Sequence, residues 1–461
     1  MGEQKKNRID MCEGPILTKM IAFSLPLMAS GVLQLLFNAA DIVVVGRFAG
    51  ENSLAAVGST GSLVNLLVNL FIGLSIGANI AAARFIGAKQ KKEVSLTVHT
   101  SMALSIVCGL IMTVVGFFLS ETALRLMATP EEVLPLAAAY LRIYFLGMTS
   151  NMIYNFGAAI LRAAGDTKRP LFYLLTAGVI NVILNLVFVI FFKMDVAGVA
   201  LATIISQTVS AFLIVRCLVK EEGMIKLDLR SLKMEKTKLI MILKLGIPAG
   251  LQGCLFSLSN VVIQSSVNSF GNLVVAGNSA GLNIEGFVYV SMNSFYQSCI
   301  SFVGQNYGAG KYRRIDKVVL YAFGCVLVTG IALGLFCLRF SEELISVYSD
   351  NPDVIAAGKV RMDIIMKTYF LCGSMDVMVG ALRGTGHSIT PMIVSFVCVC
   401  GFRMLWIATV FMMPEYHRAD TIYWSYPISW FLALLVNTVF FLFARNSYIH
   451  KTESTVRENF S

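Results

Sequence analysis

Gln34, Asn38 and Asp41 fall at i, i+4 and i+7 of the apolar stretch LPLMASGVLQLLFNAADIVVVGR. A helix there projects all three from one face, while Leu, Ile and Val cover the others. A lone carboxylate among amides in such a setting can bind an ion or take up and release a proton. On insertion scales an Asp at a bilayer centre is unfavourable by about 2.5 to 3.5 kcal/mol, so that face must look onto protein or water. The competing reading is an Asp near enough to the helix end to reach the headgroups. Pro26, about four turns earlier, removes a backbone hydrogen bond and marks a bend that neighbouring helices must accommodate.

Other polar residues repeat the helical spacing. Asn65 with Asn69, Asn151 with Asn155, and Asn260 with Gln264 are i, i+4 pairs that serve either as helix-packing contacts or as cavity lining. Glu285, Tyr289, Met292, Asn293 and Tyr296 form one stripe suited to lining a cavity. Glu285 reads equally as a substrate carboxylate or as a solvated charge near the extracellular end of its helix.

The elements that carry these residues follow from composition. A mean hydropathy of +0.73, with 56% hydrophobic and 14% charged residues, describes a polytopic membrane protein. Windows of about 20 apolar residues, enough to cross roughly 30 Å of hydrocarbon, recur about twelve times. The polar start leads into a segment too long and too polar for a cleaved signal, so the first helix is expected to stay in the mature protein. The ten cysteines, among them Cys108, Cys254, Cys299, Cys325, Cys398 and Cys400, lack metal-ligand spacing and read as small apolar fillers.

The net charge of +10 does not describe a nucleic-acid surface, because the cations collect in alternate loops. One set holds Lys5, Lys6 and Arg8; Arg84, Lys89, Lys91 and Lys92; Arg162, Lys168 and Arg169; Lys220 to Lys238; Lys311, Arg313, Arg314 and Lys317; Arg383; and Arg445 with Lys451. Arg47, Arg125, Lys193, Arg339 and Arg418 stand nearly alone in the other set. The positive-inside rule then predicts cytoplasmic termini and a cytoplasmic central linker.

In order, helices are predicted at about 16–45, 54–82, 94–119, 133–160, 171–192 and 196–219. A polar linker over 220–238 precedes a second set at about 239–270, 274–303, 318–338, 354–382, 389–412 and 422–444. The fold class is all-α, with an N-terminal six-helix lobe over 1–219 and a C-terminal one over 239–461. LRAAGDTKRP at 161–170 recurs as LRGTGHSITP at 382–391, a shift of 221 residues that also relates Gly87-Ala88 to Gly308-Ala309. An even number of helices per copy gives both the same orientation and predicts a pseudo-twofold axis along the membrane normal. The motifs themselves read as turns in which Gly takes special backbone angles and Pro restarts a helix.

These features together resemble the multidrug and toxic compound extrusion (MATE) family. The resemblance rests on N-x-x-D-x-x-x-V-G-R at the end of the first helix, the L-R-x-x-G-D-T-x-x-P turn, and SFVGQNYGAGK at 301–311, and it covers essentially the whole chain. IEGF at 284–287 and the Gly-Ala-Gly loop look most like the bacterial branch typified by DinF. The resemblance implies a twelve-helix antiporter that expels amphipathic organic cations in exchange for sodium ions or protons, with no cofactor beyond that coupling ion. It also implies a cation site of Asp41, Asn181, Asn185 and Thr203, with Asn38 beside it and Asp41 as the candidate sodium ligand. Many members carry a second carboxylate where this chain has Asn185, so the site holds at most one negative charge. That leaves the choice between sodium and proton open. The competing role for Asn181 and Asn185 is interhelical hydrogen bonding, worth under about 1 to 2 kcal/mol. Asp376, two turns before the Leu382-Arg383 turn, lies on a helix where some members carry a cation-binding Asp. The candidate substrate cavity comprises Gln34, Asn155, Asn260, Gln264, Glu285, Tyr289 and Asp376.

Two rival functions would leave different marks in the sequence. An intramembrane enzyme would need a nucleophile, base or metal cluster, and His99, His387, His417 and His450 fall in or near loops and helix ends, outside any catalytic motif. A lipid-linked oligosaccharide flippase of the same superfamily would want basic residues in its cavity, and Arg403 is the main cation inside a predicted helix. The expected partners are a small amphipathic substrate and membrane lipids, with no nucleic acid. The chain is expected to act as a monomer in the plasma (inner) membrane.

Overall fold

The computed structural model describes residues 8–127 and 129–460, apart from the side chains of Glu51, Ser62 and 449–460. Lys5 and Lys6, and the side chains of His450 and Lys451, therefore lie outside it. All regular structure among the described residues is helical. The first half contains α1 Ile16–Phe48, α2 Glu51–Gly87, α3 Lys91–Leu126, α4 Leu134–Leu146, α5 Met148–Ala163, α6 Lys168–Leu186 and α7 Asp195–Val219. The second contains α8 Lys236–Asn268, α9 Asn272–Gly308, α10 Tyr312–Arg339, α11 Ser341–Ser346, α12 Pro352–Gly384, α13 Ile389–Val394, α14 Phe402–Ala408 and α15 Ala419–Phe460. Two π-helical stretches, Val187–Phe191 and Ser395–Gly401, continue α6 and join α13 to α14.

Among the described residues, ten helical segments are long and apolar enough to cross a membrane. Two of the predicted twelve differ for identifiable reasons. The fourth is broken at Gly147 into α4 and α5, where a side chain would press on Ile204 of α7. The eighth, α9, runs through 37 residues but falls outside those ten, because Asn, Ser and Gln dilute its apolar content.

Helix ends follow glycine, and they do so twice. Gly165 has φ 88°, its N–H bonding to the Arg162 carbonyl at 3.0 Å and that of Asp166 to Leu161 at 2.9 Å. Gly386, at φ 98°, repeats both bonds with Arg383 and Leu382 at 2.8 Å each. Both copies of the L-R-x-x-G motif are thus helix-ending turns closed by a left-handed residue. The turn after Gly87-Ala88 uses Lys89 at φ 55°, and its counterpart uses Gly310 at φ 70°.

The chain divides into two compact units. Unit one comprises the residues up to Asp10 and Ala29–Gly250; unit two comprises Met11–Met28 and Leu251–Ser461. The helices α1 and α8 each pass from one unit to the other two residues after a proline, Pro26 or Pro248.

Within unit one, Gly73 and Gly77 of α2 meet Gly246 and Gly250 of α8 so closely that any Cβ would overlap the facing backbone. Small residues four apart on both partners are what lets membrane helices approach this far. The segment 220–235 is docked onto α3 rather than loose. The N–H of Asp228 donates to His99 Nε2 and that of Glu235 to Thr100 Oγ1, both at 3.1 Å, and Ile225 and Leu227 are buried. In unit two, Phe23 packs edge-on against Phe302 with ring centroids 5.7 Å apart, and Ser24 shares a 2.6 Å hydroxyl contact with Ser298.

Candidate functional site

In unit one, α1, α6 and α7 bring four polar side chains into one connected chain. Asn185 Nδ2 donates to Asp41 Oδ1 at 2.5 Å and faces Asn181 Oδ1 at 3.3 Å. Asn181 Nδ2 reaches Thr203 Oγ1 at 3.3 Å, and that hydroxyl donates to the Val199 carbonyl at 2.9 Å. The four-residue spacing of Asn181 and Asn185 puts both on the face that α6 turns toward α1 and α7. Asn181 and Asn185 are buried, Asp41 and Thr203 half-buried. Asn185 Oδ1 is sealed from solvent without a hydrogen-bond partner among the described residues. An orphaned acceptor beside a carboxylate is rare enough to need a reason, and a proton or cation shared with Asp41 supplies one.

Two features of this site are not evident from spacing. The π-helical stretch begins two residues after Asn185, and such turns often mark functional positions. Val44, Val45, Val189 and Val199, each within four residues of Asp41, Asn185 or Thr203 along the chain, form a buried apolar cluster with Tyr140 packed on it. Gln34 and Asn38 share the helical face predicted for them but are exposed, outside the hydrogen-bonded chain. Asn155 is half-buried and donates to the carbonyl and Oδ1 of Asn151, both at 2.9 Å.

Unit two holds a different kind of interior. Glu285 is buried and bidentate with Arg361: Nε reaches Oε1 at 2.6 Å and Nη2 reaches Oε2 at 2.7 Å. Burial excludes the solvated-terminus reading of Glu285, and its pairing explains how the charge is tolerated. Arg361 Nη1 donates to Asn278 Oδ1 at 2.9 Å, and Asn278 Nδ2 in turn donates to Gln264 Oε1 at 2.9 Å. Asp376 is buried, near enough to Tyr289 and Arg383 for both to act on its carboxylate. Asn260 is exposed. Arg383, expected among loop cations, instead turns inward at the end of α12, bonding Tyr296 and, at 2.6 Å, Gln252 Oε1. Arg403 is 4% exposed; its guanidinium lies 4.1 Å from the Tyr426 ring centroid, and its Nε donates to Ser429 at 2.9 Å.

Arg361 was not singled out from the sequence, although Glu285 in the middle of a helix required a cation somewhere. The partner lies 76 residues away, so no local spacing reveals it.

The MatE family model matches twice, at residues 26–187 and 248–408, in step with the internal repeat. The probable multidrug resistance protein YoeA of Bacillus subtilis is 28% identical, over 90% of this chain and 91% of its own length. YpnP of the same organism, also a probable multidrug resistance protein, is 30% identical over 84% and 87%. The probable multidrug resistance protein NorM of Thermotoga maritima is 28% identical over 90% and 89%. An outward-facing multidrug resistance MATE family transporter of the MOP superfamily has the same fold, with a TM-score of 0.87 at 22% identity, covering 95% of this chain and 98% of that one. With the family model recognised in both halves and these relatives aligned along nearly their whole length, the chain belongs to the MatE family of multidrug efflux transporters, and it is a multi-pass membrane protein.

Proposed function

We propose that the protein exports amphipathic organic compounds from the cytoplasm by alternating access, driven by an inward proton or sodium gradient, with Asp41 as the coupling group. The observation that carries this reading is the Asp41–Asn185–Asn181–Thr203 chain with its orphaned Asn185 oxygen. As a carboxylate, Asp41 accepts from the Asn185 amide. Once protonated it becomes a donor, and Asn185 satisfies it by presenting Oδ1 instead, so one proton reverses the polarity of the bond between α1 and α6. A sodium ion would draw on the same oxygens. Exchange of one charge across 100 mV supplies about 2.3 kcal/mol, enough for a substrate gradient of roughly fiftyfold.

In this reading the protein sits in the plasma membrane with both termini cytoplasmic, acts as a monomer among lipids, and uses no cofactor. IEGF and the Gly-Ala-Gly loop support the DinF-like branch. The deciding experiment is dye efflux from proteoliposomes under separately imposed proton and sodium gradients. Efflux is expected under one of them, and efflux under neither, from inserted and folded protein, would overturn the antiport reading. Asn185→Asp, by adding a second carboxylate, should shift preference toward sodium. The buried arginines of unit two favour a second reading, transport of a lipid-linked oligosaccharide with its anionic phosphates. Movement of such a lipid between leaflets by the same proteoliposomes, without dye efflux, would select it.

A further inference from the structure

Two guanidinium groups in unit two share one aromatic ring. Arg361 lies 5.3 Å and Arg403 4.1 Å from the Tyr426 ring centroid. Only one of them is neutralised. Arg361 holds both oxygens of Glu285, whereas no carboxylate lies within 4.0 Å of Arg403 among the described residues. Asp376 does not fill the gap: the cation acting on it is Arg383, and no ion pair joins it to Arg403 among the described residues.

The donors of Arg403 are similarly uneven. Its Nε is taken by Ser429, and the four N–H groups of its two terminal nitrogens have no hydrogen-bond partner among the described residues. Those nitrogens differ from the Nε of Arg383, which is sealed from solvent without a partner. A ring stacked on a guanidinium covers its face and leaves the in-plane N–H groups free. Here Tyr426 covers the face, with Trp430 at 5.9 Å, and Ser429 occupies one edge, so a two-pronged donor edge remains. Its geometry matches a carboxylate or phosphate oxygen pair.

We propose that Arg403, flanked by Tyr426 and Trp430, is the receptor for an anionic group carried on a flat apolar body, so that unit two selects zwitterionic or anionic aromatic amphipaths over purely cationic ones. The proposal rests on the export reading for the origin of the ligand, but the binding step needs no gradient and is tested apart from it. A phosphate headgroup of an annular lipid offers the same chemistry as a substrate carboxylate, so the test must separate the two.

The protein in nanodiscs is titrated with a rhodamine dye bearing a free benzoate and with the methyl ester of the same dye, which replaces that charge with a neutral group one methyl larger. The carboxylate dye should bind roughly tenfold more tightly, a difference set by one charge-assisted contact. Arg403→Gln should reduce its affinity to that of the ester, Arg403→Lys should retain part of the preference, and ester binding should be unchanged in both. Equal affinity of the two dyes for the unmodified protein overturns the proposal without any variant. So does an equal loss for both dyes in a folded Arg403→Gln protein. Phosphatidylcholine and phosphatidylglycerol both carry the headgroup phosphate, so a soluble short-chain phosphatidylglycerol is added as competitor in unchanged nanodiscs; the preference should stay intact, and its disappearance assigns the edge to a lipid phosphate and overturns the substrate role. Dye discrimination in nanodiscs with no efflux of either dye from proteoliposomes would sink the export reading and leave the anion receptor standing.

Discussion

The two units share one repeated sequence pattern, yet the polar clusters described above are built from different charges. Their turns correspond closely: Gly165 with Gly386, Lys89 with Gly310, and Gly50 at φ 89° with Gly271 at φ 86°. Each also has a π-helical stretch near its buried polar residues, after Asn185 in unit one and before Arg403 in unit two. The side chains differ. The cluster in unit one places a single carboxylate among amides and a hydroxyl, while unit two pairs Glu285 with Arg361 and also buries Asp376, Arg383 and Arg403, the last against tyrosine and tryptophan. Backbone turns are constrained by φ and by helix-end carbonyls, which duplication preserves. Interior charges are constrained only by finding a partner, and each unit has solved that separately.

The contrast is broken most decisively at Asp41. Asp41→Asn keeps the hydrogen-bonding shape but removes the charge, and it should abolish gradient-driven efflux while leaving expression intact, as read by dye release from proteoliposomes. Full activity would take the carboxylate out of the mechanism and turn attention to Asp376 and Glu285. In unit two the corresponding change should act on stability instead. Glu285→Gln leaves the Arg361 charge buried and unpaired, for an expected loss of about 3 to 5 kcal/mol in a denaturation measurement in detergent. Glu285→Leu combined with Arg361→Met should recover much of that, since removing both charges avoids the orphan.

Smaller effects probe the shared framework. Gly77→Leu drives a side chain into the α8 backbone at Ile242 and Gly246 and should cost about 1 to 3 kcal/mol, or reduce the folded yield accordingly. Smallest are the paired turn positions. Lys89→Gly relieves a left-handed lysine and should stabilise by about 1 kcal/mol, while Gly310→Lys, in open space, should destabilise by a similar amount. Unequal magnitudes in a thermal-melt comparison would mean that the two turns are not energetic equivalents.

Sequence alone determined the all-helical membrane class and the repeat, because hydropathy and glycine placement are local properties that a window of residues expresses in full, whereas the break at Gly147 and the polar dilution of α9 show that it did not fix every span. It also located Asp41 and, through family resemblance, its partners Asn181, Asn185 and Thr203, which the structure joins by hydrogen bonds. Gln34 and Asn38 followed the same helical spacing and yet stand outside that chain, since period fixes a face and not what meets it. Tertiary structure decided which charges are neutralised. Glu285 finds Arg361 76 residues away, and Arg383 leaves its loop for Tyr296 and Gln252. Arg403 is left, among the described residues, with a ring and a hydroxyl but no acid. A membrane interior makes each such pairing a matter of distance between helices, and that distance is set by packing, as where Gly73 and Gly77 admit the backbone of α8, rather than by anything readable along one segment.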